Sequence, residues 1–211
     1  MRAFGRRPGY DSHTVDSRGY TLFDTPIGAC GIAWSERGVS GMQLPEATPG
    51  RTRARLLGRL PETREASPPP AVRAAIAGIV ALLQGEAVDL GSVELDETGV
   101  PRFHGRVYAV TRSIGPGATL TYGAIAERLG EPGSARAVGQ ALGSNPFAII
   151  VPCHRVLAAG GRIGGFSARG GAATKRKMLM IEQARFGDAP DLFDDLSKSA
   201  GAPAPPTSVG Q

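Results

Sequence analysis

Cys153 stands after an apolar run, Phe147 to Val151, and Pro152, and is followed by His154 and Arg155. A cysteine reacts as its thiolate, and a free thiol has a pKa of about 8.5, so a nearby base or cation must help at neutral pH. His154 is a candidate base, and Arg155 adds positive charge. Taken alone, the tripeptide decides little. Neighbouring residues on an extended chain point apart, so a Cys–His contact would need a water bridge. Free cysteine is also among the most buried residue types, which makes an inert core thiol the competing reading. Glu182 bears on the choice. Met178, Leu179, Glu182 and Phe186 fall on one helix face by their spacing of three and four. A carboxylate inside an apolar stripe needs a partner, because burying it alone is costly. Either His154 is that partner, giving a nucleophile, base and orienter, or Glu182 lies at the edge of the stripe with water or Arg185.

A second pattern points to nucleic acid. Two short helices, the first with Tyr122, Ile125, Ala126 and Leu129 on its apolar face, are joined through Gly130-Glu131-Pro132-Gly133, a helix-turn-helix arrangement. Ser134 is placed to cap the second helix. That helix reads Ser134-Ala135-Arg136-Ala137-Val138-Gly139-Gln140. A major-groove reader presents several long polar side chains to base edges, whereas this helix has small residues around one arginine. Small residues permit close approach to a narrow groove, and Arg136 could fill the gap left by an extruded base. The alternative is that they only permit tight helix packing.

The elements that must position these residues follow from periodicity. Tyr20 to Asp24, Ala29 to Trp34 and a segment ending at Leu44 alternate as strands of an antiparallel meander, with turns at Thr25–Gly28 and Glu36–Gly38. A short helix is expected around Arg53–Leu60. A stronger one follows Pro68–Pro70, with Val72, Ile76, Ile79, Val80 and Leu83 at helical spacing and Gly85 as its stop. Residues 87–101 read as a strand and linker. Phe103, Val107, Val110 and Ile114 mark the next helix, Phe147 to Val151 a buried extended run, and Ala172 to Phe186 the last helix. The expected organisation is a loose arm over 1–18, an N-terminal domain over 19–100, a C-terminal domain over 101–187 and a disordered tail over 188–211.

The chain has 211 residues, 41% of them hydrophobic, enough for a sizeable core. Its two cysteines, Cys30 and Cys153, exclude a disulfide scaffold and fit a reducing compartment. No apolar stretch reads as a secretion signal or membrane span, so a soluble cytoplasmic protein is expected. The net charge of +5 is concentrated in residues 101–190, which hold 12 Lys and Arg against 4 Asp and Glu. Such a block is either a polyanion-binding surface or a solvated basic face.

Together these residues resemble the O6-alkylguanine-DNA alkyltransferases, also called methylated-DNA–protein-cysteine methyltransferases. The resemblance spans about Phe103 to Ala184. It rests on Thr121-Tyr122-Gly123, Ala135-Arg136-Ala137-Val138-Gly139, Ser144-Asn145-Pro146 and above all Val151-Pro152-Cys153-His154-Arg155-Val156. It implies an α+β fold: a small N-terminal antiparallel-sheet domain of ribonuclease-H-like type, then a mostly helical C-terminal domain with a winged helix-turn-helix-like motif. It implies transfer of an alkyl group from O6-alkylguanine, with O4-alkylthymine open as a second substrate, to Cys153, one turnover per molecule. By the same resemblance His154 takes the thiol proton through a water, Glu182 fixes its tautomer and Asn145 braces the loop. Arg136 replaces the flipped base, while Ala135, Ala137 and Gly139 line the minor groove. Tyr122 donates toward guanine N3 and Ser167 toward O6. The carbonyls of Cys153 and Val156 accept from the guanine amino group, and Lys175 closes the pocket wall. Double-stranded DNA is the implied partner, with a monomeric protein, nucleoid-associated when bound, and no cofactor.

Some positions depart from the family pattern. Phe166 replaces a common tyrosine, and Gln140 stands where a second glycine is common. The Ser167–Thr174 loop is longer than in vertebrate members. The zinc set of some members cannot be built from Cys30, His13 and His104, and the four-cysteine domain of the adaptive-response regulators has no counterpart. Of three rival readings, Cys153 argues against a damage-binding protein lacking the acceptor and the small-residue helix against a transcription factor, while a cysteine hydrolase using Cys153, His154 and Glu182 would show itself by turnover on an acyl substrate.

Overall fold

The computed structural model describes residues 18–186. The expected arm, apart from Arg18, and the expected tail over 188–211 lie outside the described residues. The chain begins with three antiparallel strands in sequence order, β1 (Gly19–Phe23), β2 (Cys30–Ser35) and β3 (Gly38–Gln43). The Thr25–Gly28 turn closes with backbone bonds in both directions, Gly28 N to Thr25 O at 2.9 Å and Thr25 N to Gly28 O at 3.2 Å. Alternation along β2 sends Cys30, Ile32 and Trp34 into the main core and Ala33 to the other face, against Leu56. Both faces of this small sheet are therefore covered.

The helix α1 (Pro49–Leu57) covers the second face and begins four residues before the expected start. The reason is local: Thr48 is the N-cap, its hydroxyl accepting from Arg51 N at 3.3 Å, with Pro49 at N1. The helix α2 (Pro70–Leu83) buries Val72, Ile79 and Leu83 of the predicted stripe, leaves Ile76 and Val80 half-buried and buries Leu82 instead, and Gly85 stops it at φ 99°. The strand expected within 87–101 is reduced to one bridge, Val39 to Leu95. Side-chain turns occupy its flanks: Asp89 accepts from Gly91 N and Asp96 from Thr98 N, and these local bonds compete with a ladder.

The second half is mostly helical: α3 (Arg102–Arg112), α4 (Tyr122–Arg128), α5 (Ala135–Gly143) and α6 (Ala172–Ile181). The chain is thus α+β, an antiparallel sheet followed by a helical region. The pair α4–α5 is the predicted helix-turn-helix. Thr121 caps α4, accepting from Ala124 N at 3.0 Å. Ser134 occupies the cap position of α5 but makes no capping bond, because its hydroxyl donates back to Glu131 O at 2.8 Å. A two-residue parallel ladder joins β4 (Leu120–Thr121) to β5 (Val156–Leu157), pairing Leu120 with Val156. One contiguous apolar core runs from Cys30 and Trp34 through Ile79, Val107 and Val138 to Met178. Backbone links cross it: Met42 N donates to Pro146 O at 2.7 Å beside a Met42–Phe147 bridge. No described helix is long and apolar enough to cross a membrane.

Two elements differ from expectation next to the chemistry. Phe147 to Val151 is buried but not extended. Val151 N bonds back to Phe147 O at 2.8 Å, and Ile149, at φ 74°, sits in the left-handed region. A β-branched residue there costs of order 1–3 kcal/mol, so its surroundings must hold it. The last helix stops at Ile181 rather than Phe186. Gln183 takes φ 54°, and Ala184 N and Gln183 N bond to Leu179 O and Met180 O, a Schellman stop built without glycine.

Candidate active site

The loop between α5 and β5 is shaped by Asn145. Its side-chain NH₂ donates to Val151 O at 2.9 Å and its side-chain oxygen accepts from Phe147 N at 2.9 Å, so one amide bridges the folded-back segment. Pro152, at φ −78° and ψ 65°, then makes a tight turn in which Cys153 N donates to Val151 O at 2.8 Å. Cys153–Arg155 form a single 3₁₀ turn, not the extended chain assumed from sequence. The turn leaves Cys153 partly buried and sends His154 and Arg155 inward.

His154 is fully buried, and its Nε2 lies 2.8 Å from Glu182 Oε1. Glu182 is the C-cap residue of α6 with a side chain 3% exposed, which settles its two readings in favour of the histidine. Arg155 is more than the nearby charge that the sequence suggests: Nε donates to Glu182 Oε2 at 2.8 Å, Nη2 to Glu182 Oε1 at 2.9 Å, and Nη1 to Ile114 O. The signal that could have found it is the carboxylate itself, since one histidine cannot satisfy both oxygens of a buried Glu.

Burial acts to raise the Glu182 carboxyl, but bonds from His154 and Arg155 and their charges outweigh it and bring the pKa to about 2. The His154 pKa is lowered, first by burial and further by Arg155 and Lys175, against the raising pull of Glu182. The imidazole is therefore neutral at neutral pH. With Nε2–H assigned to Glu182 by the bonding pattern, Nδ1 is left as the acceptor, buried and without a partner among the described residues. Burial pushes the Cys153 thiol up, partly offset by Asn145, Lys175 and backbone N–H groups.

Lys175 is fully buried; its Nζ donates to Val156 O at 2.5 Å and lies 5.7 Å from the centre of the Tyr122 ring. Burial lowers its pKa to about 8, with Cys153 pulling the other way. Tyr122 is raised by burial and then by Cys153. The β4–β5 ladder explains the proximity, since it sets the start of α4 beside the chain leaving Cys153. Tyr122, Gly139, Leu142, Cys153, Phe166 and Ser167 line one cavity of about 200 Å³. On α5, Val138, Ala141 and Leu142 face the core. Arg136 is exposed, while Ala135 and Ala137 are half-buried. Packing does not demand glycine at 139, because an added Cβ would meet nothing closer than Tyr122 Cε1 at 3.8 Å.

The residues chosen from sequence thus fall into two groups. Cys153, His154, Glu182, Asn145, Tyr122, Val156, Lys175 and Ser167 converge, whereas Ala135, Arg136 and Ala137 lie on α5 outside the cavity that Gly139 helps to line. Cys30 is buried under the strands beside Thr25, its thiol pushed up to about 12 by burial. No cluster of three or more His, Cys, Asp or Glu able to hold a metal ion occurs among the described residues.

What the fold and this loop define together is a helix-turn-helix protein with a cysteine lining a cavity. Residues 102–184 match the family model described as 6-O-methylguanine DNA methyltransferase, DNA binding domain. The methylated-DNA–protein-cysteine methyltransferase of Mycobacterium bovis is 37% identical over 175 residues, 83% of this chain and 98% of the relative. That of Methanothermobacter thermautotrophicus is 35% identical over 157 residues, 74% of this chain and 81% of the relative. The crystal structure of Mycobacterium tuberculosis OGT in complex with DNA aligns with a TM-score of 0.64 at 36% identity, covering 78% of this chain and 92% of that one. The O6-methylguanine-DNA methyltransferase of Pyrococcus kodakaraensis aligns with a TM-score of 0.59 at 27% identity, covering 78% and 98%. The chain belongs to the O6-methylguanine-DNA methyltransferase family.

Proposed function

We propose that this protein repairs DNA by direct reversal, moving the alkyl group of O6-alkylguanine onto Cys153 once per molecule. The observation that carries the reading is the buried, neutral His154 held by Glu182, next in the chain to Cys153, which itself lines a cavity beside α5. His154 Nδ1 takes the thiol proton through a water, and Glu182 holds the ring in the tautomer that leaves Nδ1 free. Sγ bonds to the alkyl carbon, and the C–O6 bond breaks with its electron pair going to guanine. Guanine gains a proton in place of the one the thiol lost, so the balance closes without a cofactor. The thioether does not hydrolyse, hence one turnover.

Asn145 keeps the loop in its folded-back shape. Tyr122 and Ser167 donate to guanine N3 and O6, which helps the base leave. The carbonyls of Cys153 and Val156 accept from the guanine amino group; Val156 O has a second lone pair beyond the one that Lys175 uses. Lys175 forms the wall behind Tyr122. Double-stranded DNA binds a monomer through the minor groove, against Ala135, Ala137 and Gly139, with Arg136 entering the stack in place of the flipped base. A relative solved in complex with DNA supports the partner class. O4-alkylthymine is a second candidate substrate, and the cytoplasm, on the nucleoid, the place of action.

The test is intact-mass measurement after mixing with duplex DNA containing O6-methylguanine. One methyl mass on Cys153 is expected, with Cys153→Ala binding the DNA and transferring nothing. More than one methyl removed per protein would overturn the single-turnover reading.

A further inference from the structure

A second cleft of about 440 Å³ meets the first at Cys153, Phe166 and Ser167 and runs toward the N-terminal half, where Arg55 and Arg59 of the α1 region line it. Between these ends Met42, Leu44, Leu142 and Ala148 line it together with Gln43, Ser144 and Asn145, and among the described residues no acidic side chain lines it. Displacement at carbon is in line, so in an adduct larger than methyl the substituent on the reacting carbon must project sideways from the Sγ–C–O6 axis. A tail leaving the guanine cavity beside Cys153 has this cleft next to it.

The far end is cationic and solvent-exposed. Arg55 pairs with Glu46 at 3.3 Å. Arg59 pairs with no carboxylate among the described residues. Its Nη2 is fixed by Met42 O at 3.2 Å and Gln43 Oε1 at 2.8 Å, which leaves Nε and Nη1 without a bond among the described residues. Partial burial and then the charge of Arg55 lower its pKa. A guanidinium held by one edge presents the rest of its fork to a carboxylate.

We propose that this cleft is a tail subsite for O6 adducts larger than methyl, and that Arg59 favours tails ending in a carboxylate. The inference rests on the alkyl-acceptor reading, and the chemical step is unchanged: Sγ bonds to the carbon attached to O6, the tail travels with it, and guanine leaves with the electron pair and a proton.

The experiment compares transfer rates from three duplex oligonucleotides, carrying O6-methylguanine, O6-carboxypropylguanine and the primary amide of the latter. The parent protein transfers the acid faster than the amide by about fivefold or more. Arg59→Gln abolishes that preference and leaves the methyl rate within about twofold, whereas Arg59→Lys keeps part of it. Equal rates on acid and amide in the parent would overturn the proposal. So would an Arg59→Gln loss that falls equally on all three substrates, which would assign Arg59 to the DNA backbone or the fold. Failure of the parent to transfer even methyl would sink the alkyl-acceptor reading itself, a distinguishable result.

Discussion

Arg155 grips Glu182 at two points, Nε to Oε2 at 2.8 Å and Nη2 to Oε1 at 2.9 Å, while His154 shares the same carboxylate. The residue after the proposed base therefore locks the group that orients the base. Removing Glu182 strands the partners of a buried ion pair, which typically costs about 3–5 kcal/mol. Glu182→Ala is expected to lower the melting temperature and to slow alkyl transfer by about 10² or more, with far less effect on DNA affinity. A parent-like transfer rate in this variant would remove Glu182 from the mechanism.

The same carboxylate sets an acid limit. Its folded pKa of about 2 lies below the ordinary value of 4.5, so the folded state prefers it ionised. That contribution is whole above pH 4.5 and is lost as the pH falls toward 2. Denaturation curves from pH 6 down to 2 should show a steep loss in the parent and a shallower one in Glu182→Gln. Parallel curves would mean that another group sets the acid limit.

Gly139 offers a separation of stability from activity. An alanine there meets only ordinary contact with Tyr122, and alanine in a helix interior is favoured over glycine by about 0.8–1.0 kcal/mol. Gly139→Ala should raise the melting temperature slightly while weakening repair of duplex DNA, because the added methyl enters the cavity and the proposed groove face. A variant that is more stable and equally active would show that the cavity tolerates the methyl.

Arg136 is exposed and is the one long side chain from Ser134 to Gly139. Extruding a base costs a few kcal/mol, and a guanidinium in the stack would offset part of that. Arg136→Ala should slow repair of duplex DNA sharply and reaction with free O6-benzylguanine far less, since a free base needs no extrusion. Equal loss on both substrates would assign Arg136 to the pocket or fold instead.

Most of the fold was legible because its periodicities are strong. The alternation through Tyr20, Ile32 and Trp34 matches burial, and so do Val72, Ile79 and Leu83 of the helical stripe, while Ile76 and Val80 are half-buried. The site residues were legible as types, and their convergence was foreseen through the resemblance. What failed was local backbone geometry. Ile149 and Gln183 adopt positive φ in residue types that rarely do so, so an extended run and a helix of five more residues were the natural expectations. Arg155 was passed over because adjacency in sequence hid its shared partner with His154. The early start of α1 lies in Thr48-Pro49, a cap and N1 pair.

The bond from Met42 N to Pro146 O carries a practical consequence. The segment matching the family model starts at Arg102, and it contains Cys153, His154 and Glu182 together. Yet the strand that pins Pro146 and Phe147 from outside belongs to the first fifty residues, and Met42 and Phe147 are both 1% exposed. An excised fragment beginning at Arg102 would keep the nucleophile and its relay but lose the backing plate of the loop that aims it. The reactive segment is thus not portable: grafted elsewhere, it would need a replacement for β3 before it could work.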